Sequence, residues 1–120
     1  MNKQLELAKQ LAKSLAECEE FLEYQKAKQI LEEHEAARIM LDDFRKKQWE
    51  FEKKKIDGAQ DLKAAEEELQ KLAGIIGVNP YVRNYLTAEF RFSQLLMEIQ
   101  RIIGEAVGIA LPKDAENKNG

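Results

Sequence analysis

Residues that make turns and crosslinks are scarce in this chain of 120 residues. It contains one cysteine, two prolines, six glycines, two serines and one threonine. An all-β sandwich or barrel needs a turn about every 8–12 residues, so this composition excludes that class of fold. The single Cys18 cannot form an internal disulfide, which makes a reducing cytosol the expected compartment.

Long apolar runs and an excess of positive charge are also missing. No run of about 18 apolar residues is present, so no membrane-spanning helix is expected. Charged residues recur through the first fifteen positions, which excludes the apolar stretch of a signal peptide. The net charge of −3 argues against a dedicated nucleic-acid-binding protein. The residues that do dominate are Ala, Leu, Glu, Lys and Gln, which favour an all-α, soluble protein.

Apolar residues recur at steps of three or four along five segments, the period of amphipathic helices. We therefore predict about five helices in a single domain over residues 1–111, followed by a flexible C-terminal tail at 112–120. The expected breaks lie near Cys18, at His34 as an N-cap, at Asp57-Gly58 and at Gly77. Asn79-Pro80 is the strongest helix-start signal, because Asn caps well and Pro fits the first helical position.

The third and fifth predicted helices are the two long ones and are expected to form an antiparallel bundle. A fifth helix from Pro80 to about Ile109 would be about 45 Å long, against a diameter of about 27 Å for a compact chain of this size. One chain cannot cover so long an apolar stripe. We therefore expect a second copy to complete the bundle, so that the protein is a homo-oligomer. The stripe comprises Phe92, Leu95, Leu96, Ile99, Ile102 and Ile103.

The third predicted helix contains a basic stretch with six cations and two carboxylates between residues 45 and 55. Trp49 and Phe51 lie among these charges, an arrangement that can bind single-stranded nucleic acid or an acidic protein surface. A solvated helix face with lysines near its C-terminal end is the alternative. Trp49 falls one position off the apolar stripe, and exposed tryptophans often anchor interfaces. The candidate partner contacts are Trp49, Arg45, Lys46, Lys53 and Lys54.

Two polar residues, Gln48 and Glu89, interrupt otherwise apolar stripes. A buried carboxylate is costly unless it is paired, so Glu89 is expected to be partly buried and bonded to Gln48 or Lys47. The alternative places Glu89 at the edge of its helix. With one histidine, no converging carboxylates and no ligand spacing, the sequence predicts no catalytic, cofactor-binding or metal-binding residue, and hence no enzyme.

Two long segments share a recognisable order of residues. The first contains Leu11-Ala12, Glu17-Cys18-Glu19-Glu20-Phe21, Tyr24, Ala27, Leu31, Glu35-Ala36, Met40-Leu41, Phe44 and Gln48. The second contains Asn79-Pro80, Tyr85-Leu86, Ala88-Glu89, Phe92, Leu95-Leu96, Ile99 and Ile103. Over about residues 8–108 this order resembles the YlbF/YmcA family of small bacterial regulators.

The resemblance implies a cytoplasmic, all-helical, oligomeric protein that acts through protein–protein contacts and has no enzymatic activity. Members of the family are accessory factors of sporulation, competence and biofilm formation. Some are partners of the membrane-tethered endoribonuclease Y and influence RNA processing. A second branch of the family has no assigned function.

The cysteine content departs from the family pattern. Regulators that form an iron–sulfur-binding complex carry further cysteines, whereas Cys18 stands alone here, and such clusters usually need four thiolates. This favours the second branch. The expected function is a regulatory adaptor that binds itself and other proteins, among them an RNA-processing complex. A nucleic-acid-binding module using residues 45–55 and a purely structural oligomer are the alternatives.

Overall fold

Five α-helices make up most of residues 2–109, which are the residues that the computed structural model describes. No strand occurs within this range, so the predicted all-α class is confirmed. The predicted tail at 112–120 and the predicted domain end at residue 111 lie outside the described residues. The helices are α1 (Lys3–Glu17), α2 (Glu19–Glu32), α3 (Glu35–Ile56), α4 (Lys63–Ile76) and α5 (Pro80–Val107).

The helix boundaries follow the local signals in the sequence. Asn79 caps α5, because its Oδ1 accepts hydrogen bonds from the backbone N–H groups of Tyr81 at 3.0 Å and Val82 at 3.2 Å. After α3, Gly58 adopts a φ of +80°, a conformation that favours glycine. Helix α5 ends at Val107, slightly before the predicted Ile109, because Gly108 has a φ of +71°.

His34 precedes α3 as predicted, but its side chain does not cap that helix. Instead its Nδ1–H donates a 2.8 Å hydrogen bond to the carbonyl of Ile30, near the end of α2. The imidazole ring also stacks on Tyr81, with ring centroids 3.6 Å apart and planes at 18°. The Ile30 carbonyl also accepts a 3.2 Å bond from the backbone N–H of Glu33, so His34 adds a second donor near the end of α2, a role open to a histidine near a helix C-terminus.

The chain divides into two compact units. Unit 1 comprises, of the described residues, 2–24 and 87–109, and unit 2 comprises residues 25–86. Helices α2 and α5 contribute residues to both units.

Unit 2 contains most of the buried apolar side chains. Val82, at 0% exposure, and Tyr85 are contributed by the first turns of α5. Helices α3 and α4 contact each other and form a hairpin joined by residues 57–62. The other buried hydrophobic residues of unit 2 are Leu31, Ala37, Leu41 and Ile76.

Unit 1 is held by an aromatic cluster of Phe21, Tyr24 and Phe92. The Phe92 ring lies 5.2 Å from that of Phe21 and 5.9 Å from that of Tyr24, within the range of favourable aromatic pairs. Ala88 is the one buried hydrophobic residue among the described residues of this unit. All of α1 is described, and none of its residues is buried. Unit 1 thus leaves apolar stripes uncovered.

We expect Asn79→Ala to lower the free energy of unfolding by about 1 kcal/mol, the usual effect of losing an N-cap. The loss reaches the core because the capped turn carries Val82. Asn2 also caps its helix, through a 3.0 Å bond from the Leu5 N–H, but α1 buries nothing. Asn2→Ala is therefore the matched control and should leave the urea unfolding midpoint unchanged. Equal losses in the two variants would contradict this account.

Candidate partner-binding surface

The inward face of α3 is covered mainly in its first two turns. Ala37 and Leu41 are buried, whereas Phe44 and Phe51 are only half-buried. Gln48 lies on the same face and is exposed. Burial along this face of α3 decreases beyond Leu41, so the polar side chain of Gln48 is in contact with water.

Trp49 lies on the outer side of α3 and is 64% exposed. The Nζ atom of Lys53, one turn further along, lies 5.4 Å from the centroid of the Trp49 ring. A cation at this distance is attracted to the negative face of the indole, with about 0.5–1 kcal/mol for an exposed pair. The ring is therefore a large apolar surface held next to a positive charge.

The other cations of the basic stretch point in different directions around α3. The guanidinium of Arg45 lies 5.6 Å from the centroid of Tyr85, and Lys55 Nζ lies 5.6 Å from that of Phe51. Lys46 is exposed. Because successive helical residues are about 100° apart, adjacent lysines do not share a face. Residues 45–55 therefore do not form one continuous basic patch.

Lys47 forms ion pairs within the α3–α4 hairpin. Its Nζ donates a 3.0 Å hydrogen bond to Glu68 of α4 and lies 3.5 Å from Asp43. The hydrogen bond to Glu68, followed by the negative charge of Asp43, raises the pKa of Lys47 above its usual value. The sequence offered only the Asp43–Lys47 spacing as a signal of this arrangement, because Glu68 is distant along the chain.

Lys54 lines a shallow groove between α3 and α4. Its lining combines apolar residues, among them Phe51 and Leu69, with the charged pair Lys47 and Glu68. Lys54 therefore belongs to a different surface from Trp49, although the sequence grouped the two together.

A second cleft in unit 2 has buried Leu31, Leu41 and Tyr85 among its lining residues, together with several charged side chains. Arg38 is one of these, and its Nη1 lies 3.4 Å from Asp42. Sequence reasoning did not single out Arg38, and it named Tyr85 only as part of the family pattern. The Arg45–Tyr85 and His34–Tyr81 contacts join residues that are 40 and 47 positions apart, for which periodicity gives no signal.

The predicted oligomer stripe lies in unit 1. Its first four members, Phe92, Leu95, Leu96 and Ile99, are half-buried. Ile102 is 56% exposed, and Ile103 is exposed as well. Leu5, Leu7 and Leu11 of α1 also expose their side chains.

Glu89 is half-buried in unit 1, whereas Gln48 belongs to unit 2. Their predicted pairing therefore stays a prediction.

Two further features bear on the chemistry of the described residues. Between residues 2 and 109, no group of three or more His, Cys, Asp or Glu side chains is arranged to hold a metal ion.

Over the same range, no helix combines the length and the apolar character needed to cross a membrane.

With this geometry established, comparison with known proteins gives the family. The pattern of the family described as "Control of competence regulator ComK, YlbF/YmcA" matches residues 5–108. The chain belongs to this family. The match extends over all five helices, and the suspected resemblance is confirmed.

Relatives of this YlbF/YmcA-family chain share about a third of its residues. The UPF0342 protein of Desulfitobacterium hafniense is 33% identical over 114 residues, which cover 95% of this chain and 92% of that protein. The UPF0342 protein of Caldicellulosiruptor saccharolyticus is 36% identical over 87% of each chain. That of Clostridium tetani is 35% identical over 87% of this chain and 90% of its own length. No solved structure matches the chain.

The fluorescence of Trp49 should report the local charge of this surface, because it is the one tryptophan of the chain. Iodide should quench it more strongly than caesium at low ionic strength, since the ammonium of Lys53 attracts anions. Lys53→Gln should reduce this difference severalfold, whereas Lys9→Gln on α1 removes the same charge and should leave it unchanged. Equal quenching of the wild type by both ions would contradict the assigned geometry.

Proposed function

We propose that this protein is a non-enzymatic regulatory adaptor of the cytoplasm that acts through protein–protein contacts. The description of its family names the control of a competence regulator, and this supports a regulatory role. The resemblance to factors of sporulation, competence and biofilm formation supports a role for the adaptor in the same kind of pathway.

The exposed Trp49 is the observation that carries this proposal. Tryptophan is enriched among the residues that dominate binding energy at interfaces, and a few such residues usually account for most of the affinity. An indole that is 64% exposed on a regular helix contributes little to the fold and leaves a large apolar surface for a partner. The adjacent Lys53 adds a charge that can select the partner.

Endoribonuclease Y is the partner that the family resemblance favours, within an RNA-processing complex. A tagged copy of the protein, expressed in its native cell, should co-purify with its partner. We expect full recovery of the partner only when Trp49 is present. Trp49→Ala should reduce recovery of the partner about tenfold or more, as the loss of an interface anchor does.

Phe90→Ala is the matched control for that experiment. Phe90 is similarly exposed, at 61%, but lies on α5 in unit 1. Partner recovery that is reduced equally by both variants, or by neither, would contradict a role for Trp49. Immunoblotting for endoribonuclease Y identifies whether that enzyme is the partner.

We further propose that the protein is a homo-oligomer and that the apolar stripes of unit 1 form its interface. Unit 1 exposes leucines on α1 and isoleucines on the last turns of α5, and it buries little of its own surface. Exposed apolar residues spaced along a helix in this way are typical of interfaces between subunits. Beside the exposed isoleucines, Arg101 bonds to Glu98 and Glu105, which raises the pKa of Arg101 and borders the stripe with charge.

The double variant Ile102→Glu with Ile103→Glu should convert the oligomer into monomers, because carboxylates cannot be buried unpaired in an apolar interface. Light scattering at micromolar concentration measures the change in mass. Ile75→Glu is the control, since Ile75 is 48% exposed but belongs to unit 2. A wild-type monomer at that concentration, or an oligomer that survives the double variant, would reject the proposed interface.

The two alternatives have weaker support. A nucleic-acid-binding module needs several cations along one face, whereas the cations of residues 45–55 point in different directions and Lys47 is engaged by Glu68. A purely structural oligomer gives no role to Trp49, so it predicts that Trp49→Ala leaves partner recovery unchanged.

A further inference from the structure

Helix α3 carries a second seam on its exposed side. The seam advances by alternating steps of three and four residues, so its members line up along one side of the helix. This is the spacing by which one helix packs against another. All members of the seam are exposed: Ile39, Asp42, Lys46, Trp49, Lys53 and Ile56.

Apolar and basic residues alternate over the C-terminal half of this seam. Trp49 lies between Lys46 and Lys53, which are one heptad apart and therefore separated by about 10 Å along the helix axis. Ile56, at 83% exposure, is the next apolar residue. At the N-terminal half, Asp42 is already paired with Arg38. The positive charge that remains to select a partner therefore surrounds Trp49.

We propose that this seam binds an acidic amphipathic helix of a partner protein, an inference that rests on the adaptor function proposed above. Carboxylates one heptad apart on the partner face Lys46 and Lys53. Apolar side chains between them cover Trp49 and Ile56. The apolar contacts supply most of the affinity, and the charge pairs set register and partner choice.

The charges of the seam disfavour a second copy of the same helix as its occupant. An antiparallel pair of α3 helices centred on Trp49 places Lys46 of each copy opposite Lys53 of the other. A parallel pair places each lysine opposite itself. Both arrangements bring like charges together, which suppresses association. The complementary surface is therefore acidic.

The same surface suits an acidic helix better than single-stranded RNA. Base stacking on Trp49 would compete with Lys53, which lies over one face of the ring. Asp42 lies on the seam, and Glu50 and Glu52 interrupt the basic stretch, so a phosphate backbone would meet repulsion along the helix.

A fluorescence titration tests this assignment, because Trp49 is the one tryptophan of the chain. The probe is a synthetic, tryptophan-free helical peptide with glutamates one heptad apart and leucines between them. We expect a saturable blue shift of Trp49 emission that weakens with salt. A peptide with lysines in place of the glutamates should give none.

The charge-reversed variant Lys46→Glu with Lys53→Glu should weaken binding of the acidic peptide by roughly tenfold or more. Lys3→Glu with Lys9→Glu makes the same change in net charge on exposed positions of α1 and should retain wild-type affinity. Circular dichroism checks that both variants keep their helices, and the milder Lys46→Ala with Lys53→Ala should lie between the two in affinity.

Several outcomes would overturn the proposal. These are the absence of a shift with the acidic peptide, equal weakening in both charge-reversed variants, and saturable binding of poly-uridine RNA that displaces the peptide. A change of oligomer mass in Lys46→Glu with Lys53→Glu would instead assign the seam to a second copy. If Trp49→Ala abolishes recovery of the native partner while this double variant retains it, the adaptor function stands and the acidic-helix inference falls.

Discussion

The burial of the first turns of α5 is the constraint on which unit 2 depends. Val82 and Tyr85 enter the core just after Asn79 has capped the helix, so the start signal and the core contact lie within two turns. Tyr81, which lies between Asn79 and Val82, stacks on His34 at the junction of α2 and α3, and the guanidinium of Arg45 on α3 lies over the ring of Tyr85. One short segment thus contacts both the α2–α3 junction and α3 itself, and orients them.

That orientation decides which side of α3 faces water. Ala37 and Leu41 are buried near the start of α3, and Lys47 joins it to Glu68 of α4. With these sides occupied, the side that carries Trp49 remains exposed. The position of the proposed binding surface is therefore a consequence of packing elsewhere in the unit.

Much of this fold could be predicted from the sequence, because its signals are local. Asn79-Pro80 and Asp57-Gly58 mark helix ends through the conformations of a few adjacent residues. The contacts of His34 and the exposure of Gln48 could not be predicted in this way. Periodicity identifies the apolar side of a helix, but how much of that side is covered depends on neighbours that are remote in sequence. For the same reason the six cations of residues 45–55 looked like one group, although geometry separates Lys47 and Lys54 from Trp49.

The exposed seam of α3 has a consequence for how such a protein can evolve. None of its six residues lies in the core, so replacing them has little effect on stability, since exposed substitutions usually change it by less than about 0.5 kcal/mol. Substitutions can therefore accumulate on this helix face while the buried residues are retained. Duplicated copies of the gene could diverge in the proteins they contact and still share one scaffold.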